Sequence, residues 1–418
     1  MPPVYDVAVV GAGPAGSVTA RDIAAAGFRV LLLEEHPKVG QPVHCSGLVT
    51  PRTLEAAGVS EEIILNQIRG VIVHTPEGKQ VTLRDNKVHA LVIDRGRLDH
   101  LLAQKAQQAG ATLWTSTRMT ALQHDKRGVH LKLQHGKRSI SIEVPLVIGA
   151  DGSHSQVAAS LGSPQPPQEQ VLAVGGEISA SALANDMVEV FARPDLAPGW
   201  FAWAIPLKQG VARIGIGSRR YRDSPRSLLN SLVDDYPHLS GRPFLRLQGG
   251  VIPLATPRRV VGPRTMLVGD AAGQVKPTSG GGIYTSILCA RLCAQTAILA
   301  LQRDNVEDDD LEHYETLWLR HVGKELFQSR ALRNLLAELS PKAIEKLLHL
   351  FTLKEIQEIG YEYGDIDFPT QLFRRLFHPR PLLMGLRALP PYMWPRLALL
   401  LLRWHWSLNG TSFFSNSK

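Results

Sequence analysis

Three carboxylates in this chain each stand just past an apolar run: Glu34 after FRVLLL, Asp151 after LVIGA and Asp270 after TMLVG. A carboxylate held at the end of a strand can accept hydrogen bonds from sugar hydroxyls. Two glycine clusters accompany them. Gly11-Ala12-Gly13-Pro14-Ala15-Gly16 and Gly280-Gly281-Gly282 each lead into a helix-forming stretch, with Ile283 first after the second. A helix N-terminus free of bulky side chains lets backbone N–H groups approach an anion or a flat polar ring. A thiol, Cys45, lies in the loop VGQPVHCSGLV, and Trp200, Phe201 and Trp203 crowd one short segment. A buried inert thiol is the commonest fate of a cysteine, and a proton donor is the other reading of Cys45. The aromatic faces can stabilise developing positive charge or simply pack a strand.

These residues need elements to position them. Residues 4–10 read as a buried strand, 14–26 as an Ala-rich helix and 28–33 as a second strand ending at Glu34, a βαβ opening. Residues 70–93 alternate around the turn PEGK as an antiparallel hairpin. A helix over 98–109 closes at Gly110. Strands follow at 111–123, 128–134 and 139–149. The Pro/Gln-rich stretch 162–170 marks a boundary. Residues 171–255 read as β, with GWFAWAIPL and GVARIGIGS as paired strands. Period-two spacing places Phe201 and Trp203 on one face and Trp200 on the other. After 265–286 comes a long helix, then another begun by EDDD at 307–310, whose acids complement the helix dipole. From about 325, short amphipathic helices are separated by prolines.

Composition sets the bounds. The chain has 418 residues, 44% hydrophobic and 20% charged, enough for two or three domains. Three cysteines make no disulfide framework, and MPPVYDVAVVGAG runs straight into a strand with no room for a signal peptide, so a cytoplasmic location is expected. No apolar run is expected to reach the ~20 residues of a membrane span, the longest candidate being Leu397–Leu402. The net charge is 46 − 38 = +8. Seven of those charges, Arg374, Arg375, Arg380, Arg387, Arg396, Arg403 and Lys418, follow Asp367, the last acidic residue. The body is therefore nearly neutral, which excludes a nucleic-acid protein with a basic face across it. The tail's arginines, with Trp394, Trp404 and Trp406 among leucines, suit an anionic membrane surface, and residues 372–406 are expected to contact one as short interfacial helices. Cys289 and Cys293 lack histidine partners and the histidines form no HExxH pair, so no metal is expected.

Gly11-x-Gly13-x-x-Gly16 after a strand and before a helix, with Glu34 placed for an adenosine ribose, is a dinucleotide fingerprint that does not choose between FAD and NAD. VIGADGSHS, with Asp151 and Gly152, and LVGDA, with Gly269 and Asp270, choose FAD: nicotinamide dehydrogenases have no reason to hold both at these separations. The pattern resembles the large flavoprotein fold typified by p-hydroxybenzoate hydroxylase. That resemblance implies that Asp270 contacts the flavin ribityl region, that Gly280–Ile283 lies along the isoalloxazine, that Arg95 in VIDRGRLD is close to FAD and that the Met119 backbone lies by the adenine. A surface salt bridge for Arg95 and a core position for Met119 are the plainer readings.

Within that fold the chain resembles the geranylgeranyl reductase family over roughly residues 4–300. VGQPVHCSGLV is similar to the family's cysteine loop near the flavin, with Cys45, Ser46 and Gly47. KPTSGGGIYTS is similar to its flavin-proximal turn. PGWFAWAIP is similar to its substrate motif P-x-x-Y-x-W-x-F-P, with Pro198, Trp203 and Pro206 matching, Phe201 in place of Tyr and Ile205 in place of Phe. Flavin-dependent halogenases carry W-x-W-x-I-P, which Trp203, Ile205 and Pro206 also fit, but Phe201 stands where the first Trp belongs and no poised lysine is identified.

The resemblance implies an α/β fold: an FAD-binding Rossmann-like domain (1–68 with 91–165 and 256–325), an inserted antiparallel β-sheet substrate domain (69–90 with 166–255) and a C-terminal helical region (326–418). It implies reduction of isoprenoid double bonds by hydride from reduced flavin, with NAD(P)H or a ferredoxin as electron donor and Trp200, Phe201, Trp203 and Pro206 facing the prenyl chain. The alternatives are a flavin monooxygenase or halogenase acting on an aromatic, and a membrane-surface prenyl-lipid carrier whose flavin is structural.

Overall fold

The computed structural model describes residues 5–398 except 126–127, 180–181, 221–222, 240–243, 245, 304–305, 307 and 377. Its first sheet has six strands in the order Val261–Gly262, Thr265–Leu267, Leu146–Gly149, Val7–Val10, Val30–Leu33, Thr112–Trp114. All neighbours run parallel except the edge pair of Val261–Gly262 with Thr265–Leu267. The three middle strands are buried at every residue, as in a parallel sheet covered on both faces. Pro14–Ala25 packs between Arg95–Gln108 and Ile283–Gln302, and the small three-stranded sheet Thr117–His124, Val129–His135, Arg138–Val144 joins the same core.

A seven-stranded sheet stands beside it, in the order Arg246–Pro253, Gln170–Ser179, Val211–Ser218, Ala202–Pro206, Met187–Phe191, Gly70–His74, Gln80–Arg84. Only Met187–Phe191 with Gly70–His74 is parallel. The strand expected at GWFAWAIPL does pair with GVARIGIGS, Trp203 opposite Gly215. Ala202, Ala204, Ile214 and Ile216 face a helix, Pro225–Asp235, that the reading of 171–255 as all β missed. Ser224 caps that helix by accepting from the Ser227 N–H, Pro225 starts it, and Leu228, Leu229, Leu232 and Val233 repeat at helical spacing.

Four other expectations need correction. The 70–93 hairpin ends at Arg84, where the alternation ends. Ala90–Ile93, buried at every residue, leaves to pair with Leu48–Val49 and Ile64–Ile68. The strand expected over 111–123 breaks at Ser116, which has φ 52°, into a parallel-sheet strand and a strand of the small sheet. The 98–109 helix begins at Arg95, because Asp94 caps it by accepting from the Arg97 N–H. Ile283–Gln302 is long and apolar enough to cross a membrane, contrary to expectation, yet most of it is buried against Pro14–Ala25 and Asp308–Trp318. Its apolarity is that of a core helix.

After residue 324 the described chain forms a helical lobe: Lys324–Ala337, Pro341–Leu350, Lys354–Tyr363, Thr370–Leu376, Pro379–Ala388 and the short turn Pro391–Met393. Leu397 is 4% exposed and packs on Leu335, Phe373 and Leu382, so the Leu397–Leu402 run begins as internal packing. Trp404, Trp406, Arg403 and Lys418 lie outside the described residues.

Candidate active site

The parallel sheet gathers at its carboxyl edge residues that are far apart in sequence. Gly11 directly follows Val7–Val10 and Glu34 follows Val30–Leu33, while Asp151 and Asp270 lie just past Leu146–Gly149 and Thr265–Leu267. In open parallel sheets that edge is where ligands bind. A cavity of 1110 Å³ lies there. Gly11, Gly13, Pro14, Ala15, Glu34, Cys45, Ser46, Arg95, Met119, Asp151, Gly152, Asp270, Gly280, Gly281, Gly282 and Ile283 line it, as do Trp200, Phe201 and Trp203. Gly16, Gly47, Gly269 and Pro206 do not. Gly269 packs against Ala15, Gly47 sits near the Ile93 carbonyl, and Pro206 is a buried strand residue whose carbonyl accepts from Asn66.

The three fingerprint glycines have different reasons to be glycine. A Cβ at Gly11, which has φ +101°, would strike the Ala150 carbonyl, and one at Gly16 would strike the carbonyl of Gly11. A Cβ at Gly13 would meet no protein atom within 4 Å, and its backbone is extended. No contact within the protein therefore requires glycine at position 13, which faces the cavity. Both helices that start at the cavity wall, Pro14–Ala25 behind Gly13 and Ile283–Gln302 behind Gly282, lack a side-chain cap. Their N–H groups and dipoles suit a pyrophosphate and the polar edge of a flavin. The residues present fit FAD.

Glu34 is oriented by its own neighbours: it accepts from the N–H groups of Ala12 (3.2 Å) and His36 (2.9 Å). Arg95 makes a two-point pair with Asp99, at 2.7 and 3.0 Å, in the cavity wall rather than on the outer surface. Burial opposes the Arg95 charge, but Asp99, Cys45 and Asp270 outweigh it and raise its pKa. Burial pushes the Asp270 carboxyl up, against the nearby Arg95 charge. Asp151 is pushed up by burial too, although Ser155 and the N–H groups of Gln156 and Val157 donate to it. Met119 is a core residue, 3% exposed, at the cavity margin beside Thr117 and Arg118. The Gly47 N–H donates to Cys45 Sγ at 3.4 Å.

Trp200, Phe201 and Trp203 form one aromatic wall. The rings of Trp200 and Phe201 stack at 5.0 Å, and Phe201 meets Trp203 edge-on at 6.1 Å. The expected separation of Trp200 onto the opposite face fails because the strand begins only at Ala202, so strict alternation does not reach back to Trp200. Room for the two indoles comes from the next strand: a Cβ at Gly215 would strike Trp203, and one at Gly217 would strike Trp200. The cavity is also lined by Leu48, Ile68, Val188 and Ile205, an apolar group packed with Trp203.

Several side chains of the site carried no sequence motif. Phe351, Tyr361, Asp365, Ile366, Asp367 and Leu372 of the helical lobe line the same cavity. Lys276, the lysine of KPTSGGG, is buried with its Nζ 2.6 Å from Asp367 and 3.1 Å from the Ile366 carbonyl. Thr50 also donates to Asp367, and Arg52 reaches Asp365 at 2.9 Å. Arg333 lies 4.6 Å over the Trp200 ring and donates to the Gly199 carbonyl. Arg213 pins the cysteine loop by donating to the Ser46 and Ile93 carbonyls, at 2.9 and 3.1 Å.

His74 and His238 both place Nε2 on one oxygen of Glu189, at 2.5 and 3.0 Å, a group with metal-ligand chemistry that the sequence spacing hid. Burial pushes the Glu189 carboxyl up, but the hydrogen bond from His74 and the charge of His238 outweigh it, and its pKa is lowered. A lowered carboxyl stabilises the fold above its unfolded value and loses that contribution as pH falls through the folded value. Glu189→Gln is therefore expected to remove part of the acid-unfolding slope below about pH 4.3, followed by circular dichroism. An identical slope in wild type and variant would count against that contribution.

Residues 4–324 match the protein family described as FAD binding domain. The chain is 31% identical over 367 residues to digeranylgeranylglycerophospholipid reductase 2 of Methanothermobacter thermautotrophicus, covering 85% of this chain and 94% of that one. It is 29% identical over 390 residues to digeranylgeranylglycerophospholipid reductase of Methanocaldococcus jannaschii, covering 91% and 97%. Among solved structures, a geranylgeranyl bacteriochlorophyll reductase-like protein from Thermoplasma acidophilum has the same fold. Its TM-score is 0.82 at 23% identity, over 92% of this chain and 99% of that one.

Proposed function

Because this chain belongs to the geranylgeranyl reductase family of FAD-binding flavoproteins and is an FAD-dependent oxidoreductase, we propose that it saturates carbon–carbon double bonds in geranylgeranyl-type chains carried on a phospholipid. The observation that carries the reading is continuity: the glycine-rich loops, the aromatic wall and the apolar group of Leu48, Ile68, Val188 and Ile205 line one cavity. The names of the relatives supply the substrate class.

Reduced FAD, when bound, supplies hydride to one carbon of the alkene. The chain's own residues do the rest. Gly11–Ala15 and the N-terminus of Pro14–Ala25 hold the pyrophosphate, Glu34 the adenosine ribose and Asp270 the ribityl chain. Gly280–Gly282 take the ring edge. Leu48, Ile68, Val188 and Ile205 exclude water and orient the prenyl chain. Trp203 and Phe201 present their faces to positive charge developing on the alkene. Cys45 is placed to hold a proton at Sγ for the second carbon, beside the Arg95 charge. In this division, 1–68, 91–165 and 256–325 hold the cofactor, 69–90 and 166–255 form the substrate wall, and the region from 326 roofs the cavity. The electron donor we propose for the bound cofactor is NAD(P)H or a ferredoxin, and the proposed working location is cytoplasmic, at a membrane surface.

The test is anaerobic incubation of dithionite-reduced protein with digeranylgeranylglycerophospholipid or geranylgeranyl diphosphate, read by mass spectrometry. Each saturated bond adds two hydrogens. Turnover that requires oxygen and yields a hydroxylated or halogenated aromatic would overturn the reading. Failure of either prenyl substrate to reoxidise the flavin would leave a carrier. Lys276, the lysine of the cavity wall, argues against a halogenase because its ammonium is tied to Asp367. Trp203→Ala is expected to slow prenyl reduction by about 10- to 30-fold, the worth of one desolvated cation–π contact, with flavin content unchanged. Equal losses of flavin and turnover would place Trp203 in the cofactor site instead.

A further inference from the structure

We infer that a cleft in the helical lobe, outside the cavity already described, seats the phosphate headgroup of an anionic bilayer lipid and so docks the protein on the membrane. The cleft has a volume of 330 Å³ and lies between Pro341–Leu350 and Pro379–Ala388. Lys342 and Lys346 stand one helical turn apart on one wall, and Arg387 stands on the other. Leu386, Leu389 and Trp394 make its apolar side, and no carboxylate lines it.

Charge argues for an anion. Among the described residues, Lys342, Lys346 and Arg387 form no ion pair, and like charges one turn apart repel. Glu345, the acid of Pro341–Leu350, pairs with Lys79, and Glu338, which follows Lys324–Ala337, pairs with Arg396. After Asp367 the chain has no acid to offer. Three uncompensated cations around a concave, partly apolar pocket match a phosphate attached to something greasy.

The rim argues for a bilayer as its source. Leu383, one turn before Arg387, is 57% exposed, and Trp394 is 46% exposed. The Trp394 Nε1 donates to the Leu386 carbonyl at 3.3 Å, which fixes the indole at the cleft edge. Tryptophan beside cations and an exposed leucine is the composition of a headgroup boundary. The same lobe lines the main cavity through Phe351, Tyr361 and Leu372, so a lobe seated on lipid brings that cavity to the bilayer. The inference rests on the proposed prenyl-lipid reading for its purpose alone.

The test is flotation of the intact, FAD-loaded protein with vesicles of phosphatidylcholine alone or mixed with phosphatidylglycerol. Wild type should float with the anionic vesicles and not the neutral ones. Lys342→Gln/Lys346→Gln/Arg387→Gln should lower partitioning on the order of 100-fold, at the usual gain per basic residue near an anionic surface. A control of the same net charge, Lys132→Gln/Lys137→Gln/Arg138→Gln on the small sheet, should lower it by less than about 3-fold, since distant charges are screened. Equal losses in the two variants, or a wild type that ignores anionic vesicles, overturn the inference. Release of wild type by millimolar glycerophosphate would support a headgroup site, whereas tight glycerophosphate binding by a wild type that does not float would make the ligand a free phosphate ester and overturn the lipid assignment. Turnover of detergent-dispersed prenyl phospholipid separates the two readings. The cleft variant should retain it, and a wild type that floats but reduces nothing would refute the enzymatic reading while leaving the cleft intact.

Discussion

Gly13→Val is expected to purify folded and colourless. The valine adopts the extended backbone of position 13 without strain, and its side chain enters space where no protein atom stands within 4 Å. On the proposed reading, that space is where the pyrophosphate of FAD approaches the N–H groups of Pro14–Ala25. A branched side chain there forfeits several charge-assisted hydrogen bonds, and FAD affinity should drop by at least about 100-fold. Gly16→Val makes the contrast, because its side chain must displace the Gly11 carbonyl. It should lose the fold along with the flavin. The measurements are flavin absorbance per protein and far-ultraviolet circular dichroism of both variants. A yellow, fully loaded Gly13→Val would refute the assignment of that cradle.

Lys276→Met should cost about 3–5 kcal/mol, because it leaves Asp367 as a buried charge with its principal partner gone. Arg52 is 3.8 Å away and cannot replace a contact of 2.6 Å. The pair joins the KPTSGGG turn to the helical lobe, so the first consequence should be faster proteolysis within 325–398. Lys276→Met/Asp367→Leu removes both charges and should recover most of the loss, since a buried pair is roughly neutral against apolar replacements. Chemical denaturation of the single and double variants decides it. A single variant within about 1 kcal/mol of wild type, or a double variant as unstable as the single, would show that the pair does not hold the lobe.

The two experiments probe features that the sequence revealed to different degrees. The gathering of the proposed cofactor residues at one sheet edge was legible because each part is local: Gly11–Gly16, Glu34, Asp151 and Asp270 all sit at ends of apolar strands, and parallel pairing brings such ends together whatever their separation. The aromatic wall was half legible. Trp203 follows the strand period, whereas Trp200 precedes the strand and is set by a turn, by Gly217 and by Arg333. The lobe contacts were not legible. Asp367 is 91 residues from Lys276, and nothing local in GDIDFPT announces a partner in KPTSGGG. His74 and Glu189 are 115 residues apart and meet only because their strands lie side by side. The helix Pro225–Asp235 was legible and missed: its Ser-Pro start and leucine spacing were present, but lay inside a long stretch read by its β neighbours.

Gly215 and Gly217 form a hidden layer beneath the aromatic wall. They do not line the cavity, yet they set how deeply Trp203 and Trp200 sink toward the sheet. One methyl added at Gly215 would push the Trp203 indole into the cavity and narrow it, leaving every lining residue chemically the same. If the proposed prenyl substrate is right, selectivity for the girth of its methyl-branched chain is tuned from positions that do not line the cavity. Two descendants of this chain could share an identical pocket inventory and still prefer different lipids.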